Sequence, residues 1–252
     1  MSKPDYSKFQ NLTFEDFRKF ATDDTLSKYE KIGFPDAYRA GKEEAIFQDI
    51  LQKLTPLSRH KQLILDVGPG CSDLPHMIIR QCETHDHQLL MIDSQEVLDQ
   101  LPDRPFITKI SGHYPDGYDA LFNKYSGGVD GILIYSVLHY IFEEGRLFES
   151  LDCALKLLKD GGAMLIGDIP NQSKRNRFFQ SPNGIRYHQE YTGTSEIPEV
   201  SFNTLESGHI DDAILQSIVM RYRQSGFDVY WLPQPDELPM ANRREDLLIV
   251  KP

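Results

Sequence analysis

The residues best suited to chemistry are a glycine-rich turn, two aspartates and a few histidines. The turn is Asp66-Val67-Gly68-Pro69-Gly70-Cys71-Ser72, entered from the apolar run Leu63-Ile64-Leu65. Glycines let a backbone turn sharply and approach a ligand with no Cβ in the way. In α/β units such a turn, at the C-terminal end of a first strand, is where nucleotides bind. Asp93 closes a second apolar run, Leu89-Leu90-Met91-Ile92, 23 residues beyond Gly70. A carboxylate there can accept hydrogen bonds from both hydroxyls of a ribose; the competing reading is a cap on the helix that follows. His139, in Ser136-Val137-Leu138-His139-Tyr140, follows a fourth apolar run and is a candidate base, because imidazole titrates near neutrality. Packing as a structural histidine is its alternative role. Asp168 ends a fifth run, within reach of a substrate or as a cap for the loop before Pro170. His188 lies in Arg186-Tyr187-His188-Gln189-Glu190-Tyr191, a third candidate on a stretch that reads equally as a solvated loop.

The turn discriminates among nucleotides. A dinucleotide fingerprint starting at Gly68 requires glycine or alanine at position 73, where the chain has Asp73, and no Gly-Lys-Ser/Thr follows to make a phosphate-binding Walker loop. A pyrophosphate favours a helix N-terminus free of extra negative charge. S-adenosylmethionine carries a sulfonium and an ammonium in place of phosphates, so an acidic residue before the glycines, here Asp66, suits it electrostatically. An NAD-dependent oxidoreductase is the second enzymatic reading, and a non-catalytic protein that binds the same cofactor is the third.

These residues need a scaffold, and the hydrophobic pattern supplies one. Apolar runs at Leu63–Val67, Leu89–Asp93, Phe106–Ile110, Val129–Tyr135 and Ala163–Asp168 alternate with helical stretches, notably residues 144–158, stopped at Lys159-Asp160-Gly161-Gly162. Near-continuous apolar strands separated by helices predict a parallel sheet covered on both faces. A helix over residues 210–225 ends at Gly226, and the runs Phe227–Leu232 and Asp246–Val250 that follow predict an antiparallel pair. Residues 1–60 read as a helical cap. Phe14, Phe17 and Phe20 share a face after the N-cap Thr13, and Ile46, Ile50, Leu51 and Leu54 share another. Residues 61–252 form the main domain. Within it, residues 169–209 form the least regular stretch, and residues 171–208 are read as an insertion that covers the acceptor.

Composition narrows the partners. The formal net charge of −11 repels a nucleic-acid backbone. No run approaches the roughly 20 apolar residues of a membrane span, and the start of the chain lacks the apolar core of a secretory signal, so neither membrane nor nucleic acid is expected. Cys71, Cys82 and Cys153 are odd in number and lack C-x-x-C spacing, which suits reduced thiols in a cytoplasmic protein and gives no metal centre. Lys174, Arg175 and Arg177 are a local basic cluster, either facing a phosphate or carboxylate of the acceptor or forming a solvated surface.

Residues 62–252 resemble the class I S-adenosylmethionine-dependent methyltransferases, on LILDVGPGCS, LLMIDS, GVDGILIYSVLHYI, LKDGGAMLIGDI and the terminal FDVYWL and EDLLIV pair. The resemblance implies a Rossmann-like, doubly wound α/β fold with a seven-stranded, mostly parallel sheet and an antiparallel last strand. It places Asp66, Gly68 and Gly70 along the methionine moiety and ribose, Asp93 on the ribose hydroxyls, and Ser111, Gly112 and His113 beside the adenine. Tyr135 and Ser136 then face the methionine end and the acceptor. The sequence departs at Ser72, where the family often has glycine. GDIPNQSKRNRFF loosely resembles sugar-modifying proteins, pointing to a small polar acceptor methylated at oxygen, such as a sugar or nucleotide sugar. The N-terminal aromatics Phe14, Phe17, Phe20, Tyr29, Phe34 and Tyr38 are read either as a lid over the cofactor or as an added helical layer or homodimer contact.

Overall fold

The apolar runs become the strands of one sheet in the computed structural model, which describes residues 7–9, 11–116, 119–202 and 208–252. Residues 1–6 and 10 of the expected cap, and 203–207 of the expected insertion, lie outside the described residues. The strands are β1 (Leu63–Val67), β2 (Gln88–Asp93), β3 (Ile107–Ser111), β4 (Val129–Tyr135), β5 (Leu158–Pro170), β6 (Asp228–Pro233) and β7 (Arg244–Val250), in the order 3-2-1-4-5-7-6. β1 to β5 pair in parallel, and β7 inserts antiparallel between β5 and β6. This is the Rossmann-like seven-stranded sheet with the antiparallel last strand that the sequence predicts. The order reverses between β1 and β4, the switch point where open α/β sheets bind ligands.

Eleven α-helices are seen among the described residues: α1 (Phe14–Thr22), α2 (Asp36–Arg39), α3 (Glu43–Lys53), α4 (Asp73–Thr84), α5 (Gln95–Leu98), α6 (Asp119–Tyr125), α7 (Leu138–Glu143), α8 (Leu147–Leu157), α9 (Gln172–Gln180), α10 (Pro182–Thr192) and α11 (Asp212–Gln224). Successive strand residues take opposite faces. Leu65, Ile132, Ile134 and Ile166 pack with Leu138, Leu151 and Ile218 from α7, α8 and α11 on one side. Ile64, Leu89, Met91 and Leu165 pack with Ile46, Ile50 and Ile78 from α3 and α4 on the other. Each such side chain, fully buried, contributes about 1.5–3 kcal/mol, so the two faces together fix the strand register and with it the strand ends.

Local chemistry explains where the elements start and where the expectation differs. Thr13 caps α1 through a capping box with Asp16: the Asp16 N–H donates to Thr13 Oγ1, and the Thr13 N–H donates back to Asp16 at 3.0 Å. The helix expected over 144–158 forms as α8 and starts only at Leu147, because Gly145 takes a left-handed conformation that separates it from α7. The stretch read as irregular carries α9 and α10. Asn171 caps α9 by accepting from Lys174 N, and Ser181 caps α10 by accepting from Gly184 N, with Pro182 in its first turn. Polar residues there start helices instead of breaking them. The Tyr38 and Tyr191 hydroxyls lie 3.1 Å apart, linking α2 to α10. No helix among the described residues is long and apolar enough to cross a membrane.

Candidate functional site

A cleft of about 1090 Å³ opens over the C-terminal ends of β1, β2 and β4. Its floor is the glycine turn. Gly68 N donates to Ile92 O at 2.8 Å, and both Gly68 and Gly70 have positive φ, 70° and 66°. A Cβ on Gly68 would stand 2.6 Å from Val137 Cγ2, and one on Gly70 2.7 Å from Ile32 Cγ2. Left-handed geometry and close packing therefore both require glycine at these two positions. The turn carries Gly70 N to 3.2 Å from Asp93 Oδ2, while Ser94 N donates to Oδ1 at 2.7 Å. Two backbone amides thus orient the Asp93 carboxylate at the end of β2.

Asp66 and Asp93 both line this cleft. Burial, and then the Asp93 charge, push Asp66 up to about 8; burial pushes Asp93 up to about 6 against the two amide hydrogen bonds. Neither forms an ion pair with a Lys, Arg or His among the described residues. Gly112 N donates to Asp93 O at 3.0 Å, and His113 stacks on Phe14 with centroids 4.4 Å apart. Gly112 and His113 line the cleft; Ser111 pairs in register with Asp93 but is exposed and outside the wall. The cap covers the opening with Phe14, Phe17, Ile32 and Phe34, and Phe17 meets the Tyr140 ring edge-on at 5.0 Å.

Beyond β4 the character changes. Tyr135 and Ser136 also line the cleft. Ser136 follows β4 and Asp168 lies in the neighbouring β5, at the register shift between Ile166 and Ile169, and each has φ near +60°, a conformation uncommon for residues other than glycine. Ser136 Oγ donates to Asp168 Oδ2 at 2.5 Å. Asp168 N donates to Asp246 Oδ1, Arg244 Nη1 donates to Asp168 O at 2.8 Å, and the same guanidinium lies 3.5 Å from Oδ2. Lys53 pairs with Asp246 at 2.6 Å and with Asp49 at 2.7 Å, completing a largely buried network of three aspartates and two cations in which the backbone N–H of Asp168 bridges two of the carboxylates.

A second cleft, of about 640 Å³, adjoins this network and is lined by His139, Arg175, His209, Arg243 and Arg244 among others. The His139 ring packs on Tyr140, its Nδ1 is buried without a hydrogen-bond partner, and burial with the Arg244 charge pushes it down to about 3. That imidazole is neutral at physiological pH and takes up a proton reluctantly. His188 lies on α10 beside Phe179, in the wall of neither cleft. The basic cluster is divided. Arg177 pairs with Asp212, Lys174 donates to Arg244 O, and Arg175 faces the second cleft, its guanidinium 5.2 Å from the Phe179 ring centroid.

Sequence reasoning missed Arg39, Ile32, Tyr140, Arg243 and Arg244. Ile32, Arg39, Arg243 and Arg244 belong to no motif and reach a cleft through tertiary packing, and Tyr140 stands in the GVDGILIYSVLHYI run without a type or spacing that singles it out. Asp246, at the network's centre, reads in sequence only as the first residue of an apolar run.

No family model matches the chain, and no curated protein matches it. Many solved structures do. The plantazolicin methyltransferase BpumL, in complex with a triazolic desmethylPZN analog and SAH, is 13% identical, with 98% of this chain and 99% of that one covered and a TM-score of 0.55. A SAM-dependent methyltransferase from Aquifex aeolicus is 12% identical, covering 99% and 100% at 0.51. The CurJ carbon methyltransferase is 14% identical, covering 97% and 66% at 0.55. The fold is the one these methyltransferases share.

Proposed function

We propose that this protein transfers a methyl group from S-adenosylmethionine to an oxygen of a small polar acceptor, with a sugar or nucleotide sugar as the acceptor class. The observation that carries the cofactor reading is the pair of carboxylates, Asp66 buried and Asp93 half-buried, facing one cleft without ion-pair partners among the described residues. A ligand that brings positive charge and vicinal hydroxyls relieves that arrangement, whereas a pyrophosphate worsens it. Asp93 accepts the ribose hydroxyls, and Gly112 and His113 border the base. Asp66, pushed up to about 8 by burial and the Asp93 charge, is drawn toward its charged form by the cation that the ligand brings. The bound cofactor supplies an electrophilic methyl group on a sulfonium.

The chain's own residues then orient the acceptor, exclude water and take a proton. Phe14, Phe17, Phe34 and Tyr140 wall the cleft with apolar surface, which strengthens the electrostatic interactions inside it. Ser136 faces the cleft and donates to Asp168, so a proton leaving an acceptor hydroxyl has a path through two residues to a carboxylate. Among His139, Asp168 and His188 this favours Asp168. Arg175, Arg243 and Arg244 around the second cleft support an acceptor bearing phosphate or carboxylate.

Calorimetric titration of the purified protein with S-adenosylhomocysteine, with NADH as control, tests the cofactor. Micromolar binding of the first alone is expected, and binding of NADH alone would overturn the reading in favour of an oxidoreductase. Transfer of labelled methyl to a panel of nucleotide sugars tests the acceptor, and its absence with every member would retire that class.

A further inference from the structure

Arg39, the last residue of α2, is 2% exposed, and its Nε and Nη1 atoms have no hydrogen-bond partner among the described residues. Leaving buried donors unmet is costly, more so on a charged group. Its nearest counter-charge is Glu43, with Arg39 Nε 3.2 Å from Oε1, yet both Glu43 oxygens also lack hydrogen-bond partners. Burial accordingly raises the Glu43 pKa despite the arginine beside it. A pair that served stability alone would close its hydrogen bonds. The guanidinium instead packs against the Phe34 and Tyr135 rings, 4.8 and 5.9 Å from their centroids. Arg39 lines the first cleft, and Glu43 does not.

We infer that Arg39 is the site for the carboxylate at the amino-acid end of the cofactor, an assignment that rests on the cofactor reading above. The sheet order gives the direction. The groups assigned to adenine and ribose follow β3 and β2, so the far end of an extended ligand lies across β1 toward β4. Three strand spacings cover about 14 Å along that edge. Tyr135 ends β4, and the guanidinium beside it presents donors in a planar fork that matches a carboxylate. The N-terminal cap would then read the amino-acid tail, while the sheet reads the nucleoside.

The test compares S-adenosylhomocysteine with its carboxyl amide, which keeps the nucleoside and the ammonium but loses the negative charge. Titrated into the wild-type protein, the amide should bind about 10- to 100-fold more weakly, the range of a charge-assisted hydrogen bond. In Arg39→Gln the acid and the amide should bind alike. Arg39→Lys should restore part of the difference, since lysine keeps the charge without the fork. A merely structural arginine would weaken both ligands equally. Equal binding of acid and amide by the wild-type protein would overturn the proposal, as would an undiminished preference for the acid in Arg39→Gln. Should Arg39→Gln fail to fold because Glu43 is stranded, the double variant with Glu43→Gln carries the same comparison. If the wild-type protein binds neither ligand, the cofactor reading itself falls.

Discussion

The two halves of the site are built by different means. At the ends of β1, β2 and β3 the working parts are set by backbone: two left-handed glycines, amides on Asp93, and a carbonyl of Asp93 that accepts from Gly112. Beyond β4 they are side chains held by other side chains, with Asp168 tied to Ser136, Arg244 and Asp246, and Asp246 tied to Lys53. The first half leaves carboxylates without ion-pair partners; the second surrounds its carboxylates with cations. On the proposed reading, the half that binds one fixed ligand needs little more than a shaped turn, and control of a proton and an acceptor takes a network drawn from distant segments.

The contrast breaks most sharply at Asp93. Asp93→Ala should lower affinity for S-adenosylhomocysteine about 100-fold or more, through lost ribose bonds and two freed amides, while Asp168→Asn should leave that affinity unchanged and abolish most methyl transfer. Comparable losses of cofactor binding in both, by calorimetry, would dissolve the division into halves. Next in size is the glycine turn. Gly68→Ala forces a Cβ into Val137 at positive φ, and the expected cost is about 1–3 kcal/mol in thermal unfolding together with weakened cofactor binding.

The pH dependence of stability sharpens the comparison further. Asp66 and Asp93 titrate near 8 and 6 in the folded protein, above the unfolded value of 3.8, so the native state holds protons that the unfolded chain has released. Stability from this pair is fully present below pH 4 and is lost as the pH climbs through 6 and then 8. Melting temperatures recorded from pH 5 to 8.5 should fall less steeply in an Asp66→Asn, Asp93→Asn double variant; parallel curves would refute the assignment. Cofactor affinity should rise over the same range if the ribose is held by ionised Asp93. On the other side, Arg243→Ala should raise KM for a charged acceptor about tenfold and leave S-adenosylhomocysteine binding intact. The smallest effect belongs to His139→Asn, expected within about 1 kcal/mol in stability, with the activity profile unaltered near pH 6.5 because the buried imidazole is already neutral there.

Legibility in the sequence follows the same division. The glycine turn, Asp93 and the strands could be read because each depends on residues adjacent in the chain or on a period of two, and Thr13 announced α1 by a local cap. Residues 172–192 were misread as irregular because Asn, Ser and Pro signal loops and helix starts alike, and only the hydrogen bonds from Lys174 N and Gly184 N decide between them. Lys53 and Asp246 stand 193 residues apart, so no spacing rule could join them. Arg39 stands in no motif or periodic run, and only tertiary packing buries it against Phe34 and Tyr135.

The hydroxyl contact between Tyr38 and Tyr191 has a kinetic consequence. The N-terminal cap and α10 meet there through hydroxyls that line neither cleft, so under the proposed reaction the contact would tie movement of the cap to movement of α10. If departure of the spent nucleoside and of the methylated product both require that movement, they share one gate. Turnover would keep time with that gate and not with bond-making, slowing as solvent viscosity rises and quickening when Tyr191→Phe loosens the keystone.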